Sequence, residues 1–202
     1  CADDSGDSTA EVADFGDDTP LPTTLDNEAF YQISSSSWVP TAEWLAGWSL
    51  KLRDGTGAER ALSLTDLQNA GGSDLERTIS CIGSSSGYLM GNAWWTGIRL
   101  DALLAYLGVD PVGDWILFVS GDGYSTCVPR SDVEAGLTLV WRMNGVDLPE
   151  DHGAPLRALT PGRYGQKNPK WIESIEFVPD YIEGFWESRG WSDEATYQIS
   201  SW

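Results

Sequence analysis

Along the chain, apolar residues recur mostly in short runs of about four to eight, the length of buried or half-buried strands. Residues 48–53 (Trp-Ser-Leu-Lys-Leu-Arg) alternate apolar and polar side chains, and Asp54-Gly55 turns the strand they predict. Residues 28–33 and 77–81 read as further strands, the second ending at Cys81. Residues 116–119 (Ile-Leu-Phe-Val) predict a buried strand, and Asp122-Gly123 turns it into a returning arm at 124–128. Residues 137–143, turned by Asn144-Gly145, then 156–159 and 171–178 complete the strands. Helical spacing is rarer. Leu100, Leu103, Leu104 and Leu107 line one helix face that ends at Gly108. Residues 63–68 predict a short helix capped by a Ser or Thr and stopped by Gly71-Gly72. Residues 34–37 and 83–97 read as loops, the latter rich in Gly, Ser and aromatics. Many strands and few short helices, without regular βαβ alternation, predict an α+β domain with mixed sheets.

Composition narrows the function classes. Aromatics make up 11% of the 202 residues, including 11 Trp, so a core can form. No apolar run reaches the ~18 residues of a membrane-spanning helix. Twelve Lys+Arg against 31 Asp+Glu leave a net charge of −19, which repels phosphate-rich polymers, so no nucleic acid is expected as a partner. Only Lys51, Lys167 and Lys170 are lysines. An acid-rich, lysine-poor folded chain suits concentrated salt, where screening shortens to about 3 Å at 1 M and self-repulsion costs little. An ordinary acidic exported protein is the alternative.

Residues 1–25 are polar and acidic and predict a flexible tether, ahead of a domain at 26–180 and an aromatic-rich tail at 181–202. A leading Cys1 before such a tether resembles a processed lipoprotein. In that reading Cys1 carries the lipid and the protein sits outside the cytoplasm, anchored to the membrane. Apart from Cys1 the chain has two cysteines, Cys81 and Cys127, which in an oxidising compartment could pair.

The segment 152–171 stands apart. Within it Arg157, Arg163, Lys167 and Lys170 meet no acid, and it also holds His152, the chain's one histidine. Concentrated positive charge in an acidic body calls for a nearby anion. At ~4 Å and an effective dielectric of 20, each unit pair is worth about 4 kcal/mol before desolvation. Gly162 and Gly165 let the backbone approach a ligand and turn N–H groups toward it, as in phosphate-binding loops. A phosphate or pyrophosphate pocket and simple pairing with the protein's own carboxylates are both open on charge alone.

The spacing His152-Gly-x-Pro-Leu-Arg157, then Pro161-Gly-x-Tyr-Gly165-x-Lys167-x-x-Lys170-Trp171, resembles the molybdopterin-binding domain of the sulfite oxidase family. The resemblance extends to Met143-Asn144-Gly145, Leu148-Pro149, Asp122-Gly123-Tyr124, residues 95–100 and Thr78-Ile79-Ser80-Cys81, in family order from about Phe30 to Trp171. It implies that Cys81 gives its thiolate to molybdenum, or tungsten in its place, a soft ligand suited to a redox metal. It implies further that His152, Arg157, Arg163, Gly165, Gln166, Lys167 and Lys170 hold the pterin and its phosphate, with Asp122 and Trp141 at the catalytic centre. Trp141 stands where the resemblance expects an active-site tyrosine. The chemistry implied is two-electron oxygen-atom transfer on a small molecule.

Departures from the family bear on substrate. Arginines that attract sulfite are absent at Ile33 and in the five residues after Cys81, so sulfite is not the expected substrate. One histidine and no Cys-x-x-Cys-His motif leave no haem in this chain, so electrons go to a separate haem- or quinone-linked redox partner. The tail aromatics Phe185, Trp186, Trp191, Tyr197 and Trp202 read as a wrap over the core, with a partner surface as the alternative. Cys127 reads as a small apolar group. Two rivals remain: a cofactor-free binding or assembly subunit on the same fold, and an anchored anion-binding module with Cys81 and Cys127 paired.

Overall fold

A computed structural model describes residues 24–83 and 89–197. Cys1, most of the expected tether, and Trp202 lie outside the described residues. The elements in chain order begin with α1 (Ala42–Gly47), β1 (Leu50–Arg53), β2 (Glu59–Leu62) and α2 (Leu64–Asn69). Next come β3 (Ser73–Ser80), β4 (Met90–Arg99), α3 (Leu100–Leu107), β5 (Trp115–Ser120) and β6 (Ser125–Pro129). The last are α4 (Ser131–Glu134), β7 (Thr138–Met143), β8 (Val146–Asp147), β9 (Arg157–Leu159) and β10 (Ile172–Val178). They form two five-stranded sheets, one ordered β2-β1-β10-β5-β6 and the other β3-β4-β7-β8, with β9 on β7. The β1–β10 pair is parallel and the other pairs are antiparallel. This is the mixed-sheet α+β architecture that the sequence pattern predicts.

Local chemistry explains the elements that match. Ser63 caps α2 through a reciprocal capping box with Asp66, a device that satisfies two otherwise orphaned N–H groups. Gly108 ends α3 in the left-handed conformation at φ 63°. Leu100, Leu103 and Leu104 of α3 pack into the larger core with Leu50, Leu52, Phe118, Ile175 and Phe177. That core joins the two sheets. A smaller core gathers Phe30, Ile79, Ala93, Trp95 and Val140 on the other face of the second sheet.

Two expectations are corrected. Most of the expected loop 83–97 is the ten-residue strand β4, paired along its length with β3. Its glycines are there for closeness rather than flexibility: a Cβ at Gly97 would stand 2.1 Å from the Leu139 carbonyl oxygen of β7. The expected strand at 28–33 is instead a turn, in which Phe30 N–H donates to Asp26 O at 3.0 Å. Phe30 is buried by insertion, edge-on to both Trp95 and His152, so its apolar character reflects an anchor and not a sheet face. Helices α1 and α4 and strand β2 carry no strong periodic signal in the sequence.

Candidate active site

A cavity of about 220 Å³ opens where the end of β3, the β5–β6 turn, segment 30–35, the loops 151–157 and 165–171, and the tail around Trp186 and Trp191 converge. Of the residues singled out from the sequence, Cys81, Asp122, His152, Arg157, Gly165, Gln166 and Lys170 line it. The spacing in sequence is therefore a spacing in space.

Arg157 leaves β9 pointing across the loop. Its Nη1 donates to His152 O at 2.9 Å and Nη2 to Asn168 O at 3.2 Å, and the guanidinium lies 5.3 Å from the Trp95 ring centroid. Its Nε has no hydrogen-bond partner, and it meets no carboxylate within ion-pair distance among the described residues. Burial pushes it down to about 10, which is the mark of a desolvated cation awaiting a counter-charge. Lys170 donates to Ser34 Oγ at 2.6 Å and Asp151 O at 3.0 Å, and also lacks a carboxylate partner at that range. Burial first, then the neighbouring Arg157 charge, push Lys170 down to about 8. Gly153 packs between the two: with φ 115°, a Cβ there would fall 2.9 Å from Lys170 Cβ and 3.1 Å from Arg157 Cβ. Only glycine fits that backbone and that gap.

Most of the remaining polar wall is neutral or already engaged, and Asp151 adds a carboxylate near Lys170. His152 Nε2 lies 2.7 Å from Asn27 O, and because a carbonyl can only accept, that nitrogen is the protonated one. Burial holds the ring below its ordinary pKa, so it is neutral near pH 7. Asp122 accepts from the hydroxyls of Ser35 (3.2 Å) and Ser36 (3.3 Å) and from Tyr124 N–H (3.0 Å), tying the rim loop to the β5–β6 turn. Tyr124 Oη donates to Gln166 O at 2.6 Å, while Gln166 Oε1 is buried without a partner. Tyr31 faces the cavity with a phenol raised well above its ordinary pKa, chiefly by burial.

Three expected site residues lie elsewhere, and each has a physical reason. Lys167 is fully buried, ion-paired with Glu187 and donating to Cys127 O at 2.9 Å. Arg163 is ion-paired with Asp132 and donates to Glu194 O at 2.6 Å. Trp141 follows the two-residue alternation of β7: Val140 faces the smaller core beside the cavity, and Trp141 faces the larger core away from it. The anion-binding rival that pairs Cys81 with Cys127 is also corrected. Both thiols are free, Cys81 on the cavity wall and Cys127 buried in β6. The sequence reading missed Tyr31, Asn168, Trp186 and Trp191 as lining residues. The clustered tail aromatics were the one signal that pointed there.

Residues 36–186 match the family described as the oxidoreductase molybdopterin binding domain. The chain belongs to that family. It is 27% identical over 154 residues to the uncharacterized oxidoreductase YuiH of Bacillus subtilis, covering 76% of each chain. It is 28% identical over 159 residues to human mitochondrial sulfite oxidase, covering 66% of this chain but 29% of that protein. The fold is similar to that of the sulfane dehydrogenase SoxCD from Paracoccus pantotrophus, with TM-score 0.61 and 21% identity over 73% of this chain and 41% of that one. The chain thus spans most of the Bacillus relative and less than half of the other two.

The cofactor of this oxidoreductase family is a molybdenum-carrying molybdopterin, and the cavity fits one. The buried Arg157 and the half-buried Lys170, neither ion-paired among the described residues, with an orphaned Arg157 Nε and an orphaned Gln166 Oε1, offer charge and hydrogen bonds to a phosphate-bearing heterocycle. Cys81 supplies a thiol on the same wall.

Proposed function

We propose that this oxidoreductase carries out two-electron oxygen-atom transfer on a small uncharged molecule, exchanging electrons with a separate redox protein. The observation that carries this reading is the pairing, in one cavity, of a free thiol at Cys81 with the buried Arg157 and the half-buried Lys170, neither of them in an ion pair among the described residues. In the reading, Arg157 and Lys170 bind the cofactor's phosphate, Gln166 and the Gly165 backbone contact its pterin, and Cys81 is the metal ligand. The bound cofactor supplies a centre that accepts or donates an oxygen atom with two electrons. The chain's own part is orientation and exclusion of water. Neutral His152, fixed through Nε2, braces the loop, and the high-pKa Tyr31 phenol remains a hydrogen-bond donor throughout the physiological range.

An uncharged substrate is supported by the lining. Ile33 occupies the position where sulfite-oxidising relatives are expected to place an arginine, and Phe30, Ile82, Trp186 and Trp191 add apolar surface. The lining adds no permanent cation beyond Arg157 and Lys170, and it sets the carboxylates of Asp122 and Asp151 on the same wall. Metal analysis of the chain purified from its native host tests the central claim. About one molybdenum or tungsten per chain, lost in Cys81→Ser with the pterin still extractable, is the expected result. Absence of both metal and pterin from the native protein refutes it.

A further inference from the structure

The family match stops at residue 186, yet the chain continues along the site. From Glu187 to Tyr197 it runs beside the loop 162–167 and is fastened to it at five residues. Glu187 pairs with Lys167, Ser192 O accepts from Gln166 Nε2 at 2.8 Å, and Glu194 O accepts from Arg163 Nη1 at 2.6 Å. Ala195 O accepts from Tyr164 N–H at 2.7 Å, and Tyr197 N–H donates to Gly162 O at 2.9 Å. This fastening delivers one side chain to the cavity. Trp191 stands edge-on to Trp186, with ring centroids 6.1 Å apart, and lines the cavity beside Cys81. A Cβ placed on Gly83 would touch both, at 3.8 Å from Trp191 Cη2 and 3.9 Å from Cys81 Sγ.

We infer that residues 187–197 are a specificity element of this chain, holding Trp191 as an apolar wall that limits what reaches the Cys81 sulfur to small molecules. The inference rests on the proposed role of Cys81 only for its catalytic meaning; the steric claim stands on the wall itself. The same four cations that the loop carries explain why the wall is rigid. Two of them, Arg163 and Lys167, are spent on fastening, and only Arg157 and Lys170 remain for a ligand. Trp191, 39% exposed, is thereby fixed by its backbone neighbours and not by deep burial, so its ring can be replaced without emptying a core.

The test needs no cofactor. The full chain, produced without molybdate, is treated with iodoacetamide as the small probe and N-phenylmaleimide as the bulky one, and modification of the Cys81 peptide is followed by mass spectrometry. In the wild-type chain the bulky probe is strongly disfavoured relative to its behaviour with a free cysteine. Trp191→Ala should raise the N-phenylmaleimide rate at Cys81 by about tenfold or more while the iodoacetamide rate changes much less, and Trp191→Phe should stay near wild type. Buried Cys127 must remain unmodified in each variant, which certifies the fold. If Trp191→Ala exposes Cys127, Trp191→Leu takes its place and should give an intermediate selectivity. A bulky-to-small rate ratio within twofold of wild type, with Cys127 protected, overturns the inference. A native protein without metal would instead sink the proposed function and leave this result intact.

Discussion

Replacing Glu187 by Gln converts a fully buried ion pair into a buried, uncompensated ammonium. In the wild-type protein Lys167 Nζ bonds to Glu187 and to Cys127 O at 2.9 Å, and Glu187 Oε1 also accepts from Thr126 Oγ1 at 2.8 Å. Both charged side chains have no exposed surface, so water cannot solvate what is left. Removing one partner of such a pair costs about 3–5 kcal/mol. Gln retains an oxygen for Thr126 and Lys167, which places the expected loss at the low end, about 3 kcal/mol. For a protein of this size, each kcal/mol lowers Tm by about 2–4 °C, so a fall of about 6–12 °C is expected. The double variant Lys167→Met with Glu187→Leu separates the two contributions. It removes the stranded charge and leaves only the Thr126 hydroxyl and the Cys127 carbonyl without partners, each worth about 1 kcal/mol. Most of the lost stability should return. Urea unfolding followed by tryptophan fluorescence gives the free energies directly. Added salt should leave the difference between Glu187→Gln and wild type unchanged, because screening does not reach a dry pair. A single variant within 1 kcal/mol of wild type, or a double variant less stable than the single, would refute the reasoning.

Three further outcomes follow from the cation geometry. Because the folded Lys170 pKa lies near 8 and the unfolded value near 10.5, the unfolded chain holds more protons between those limits. The cofactor-free protein should therefore gain stability from Lys170 as pH rises from about 8 to 10.5, and its affinity for pyrophosphate should fall over the same window. Calorimetric titration checks the binding arm, and Lys170→Arg should flatten it. Gly153→Ala forces a Cβ between Arg157 and Lys170 at φ 115° and should cost about 1–3 kcal/mol in urea unfolding, with a larger loss of bound cofactor than of fold. Arg157→Met removes two hydrogen bonds and one desolvated charge, effects of opposite sign and similar size. Its Tm should stay within a few degrees of wild type while metal content drops to a small fraction, measured on the same preparation.

Where a residue's role is set by neighbours close in sequence, the chain spells it out. The Ser63–Asp66 box, the Gly108 stop after four leucines, and the Asp122-Gly123 turn between β5 and β6 are all local devices, and the elements these three predict are found. Strand β4 was not legible, because its Gly91 and Gly97 are demanded by the Phe30 ring and the Leu139 backbone, which arrive from far along the chain. Phe30 itself misled for the same reason, since an anchor residue and a strand residue are equally apolar. Among the described residues no helix is long and apolar enough to cross a membrane, in keeping with the composition.

The site divides along the same line. Motif spacing brought Cys81, His152, Arg157 and Lys170 to one cavity, but four like charges in twenty residues gave no means of ranking them. The ranking comes from the acids. Asp132 on α4 and Glu187 in the tail each claim one cation of the loop, at sequence separations of 31 and 20, and what they leave unclaimed points into the cavity. A carboxylate that neutralises Lys167 thus does two jobs: it tethers the wall that bears Trp191, and it prevents a third cation from competing for the ligand. The loop's basic charge is in this sense half engaged in structural ion pairs and half left for the proposed ligand, and the lack of an ion-pair partner, not charge itself, marks the second half. The argument extends to substitutions at the claiming acids. Asp132→Asn should free Arg163 and loosen the segment at Glu194, yet leave Arg157 and Lys170 with the same orphaned atoms, so pyrophosphate affinity should persist where stability falls. Loss of affinity in proportion to stability would mean that the four cations act as one cluster after all.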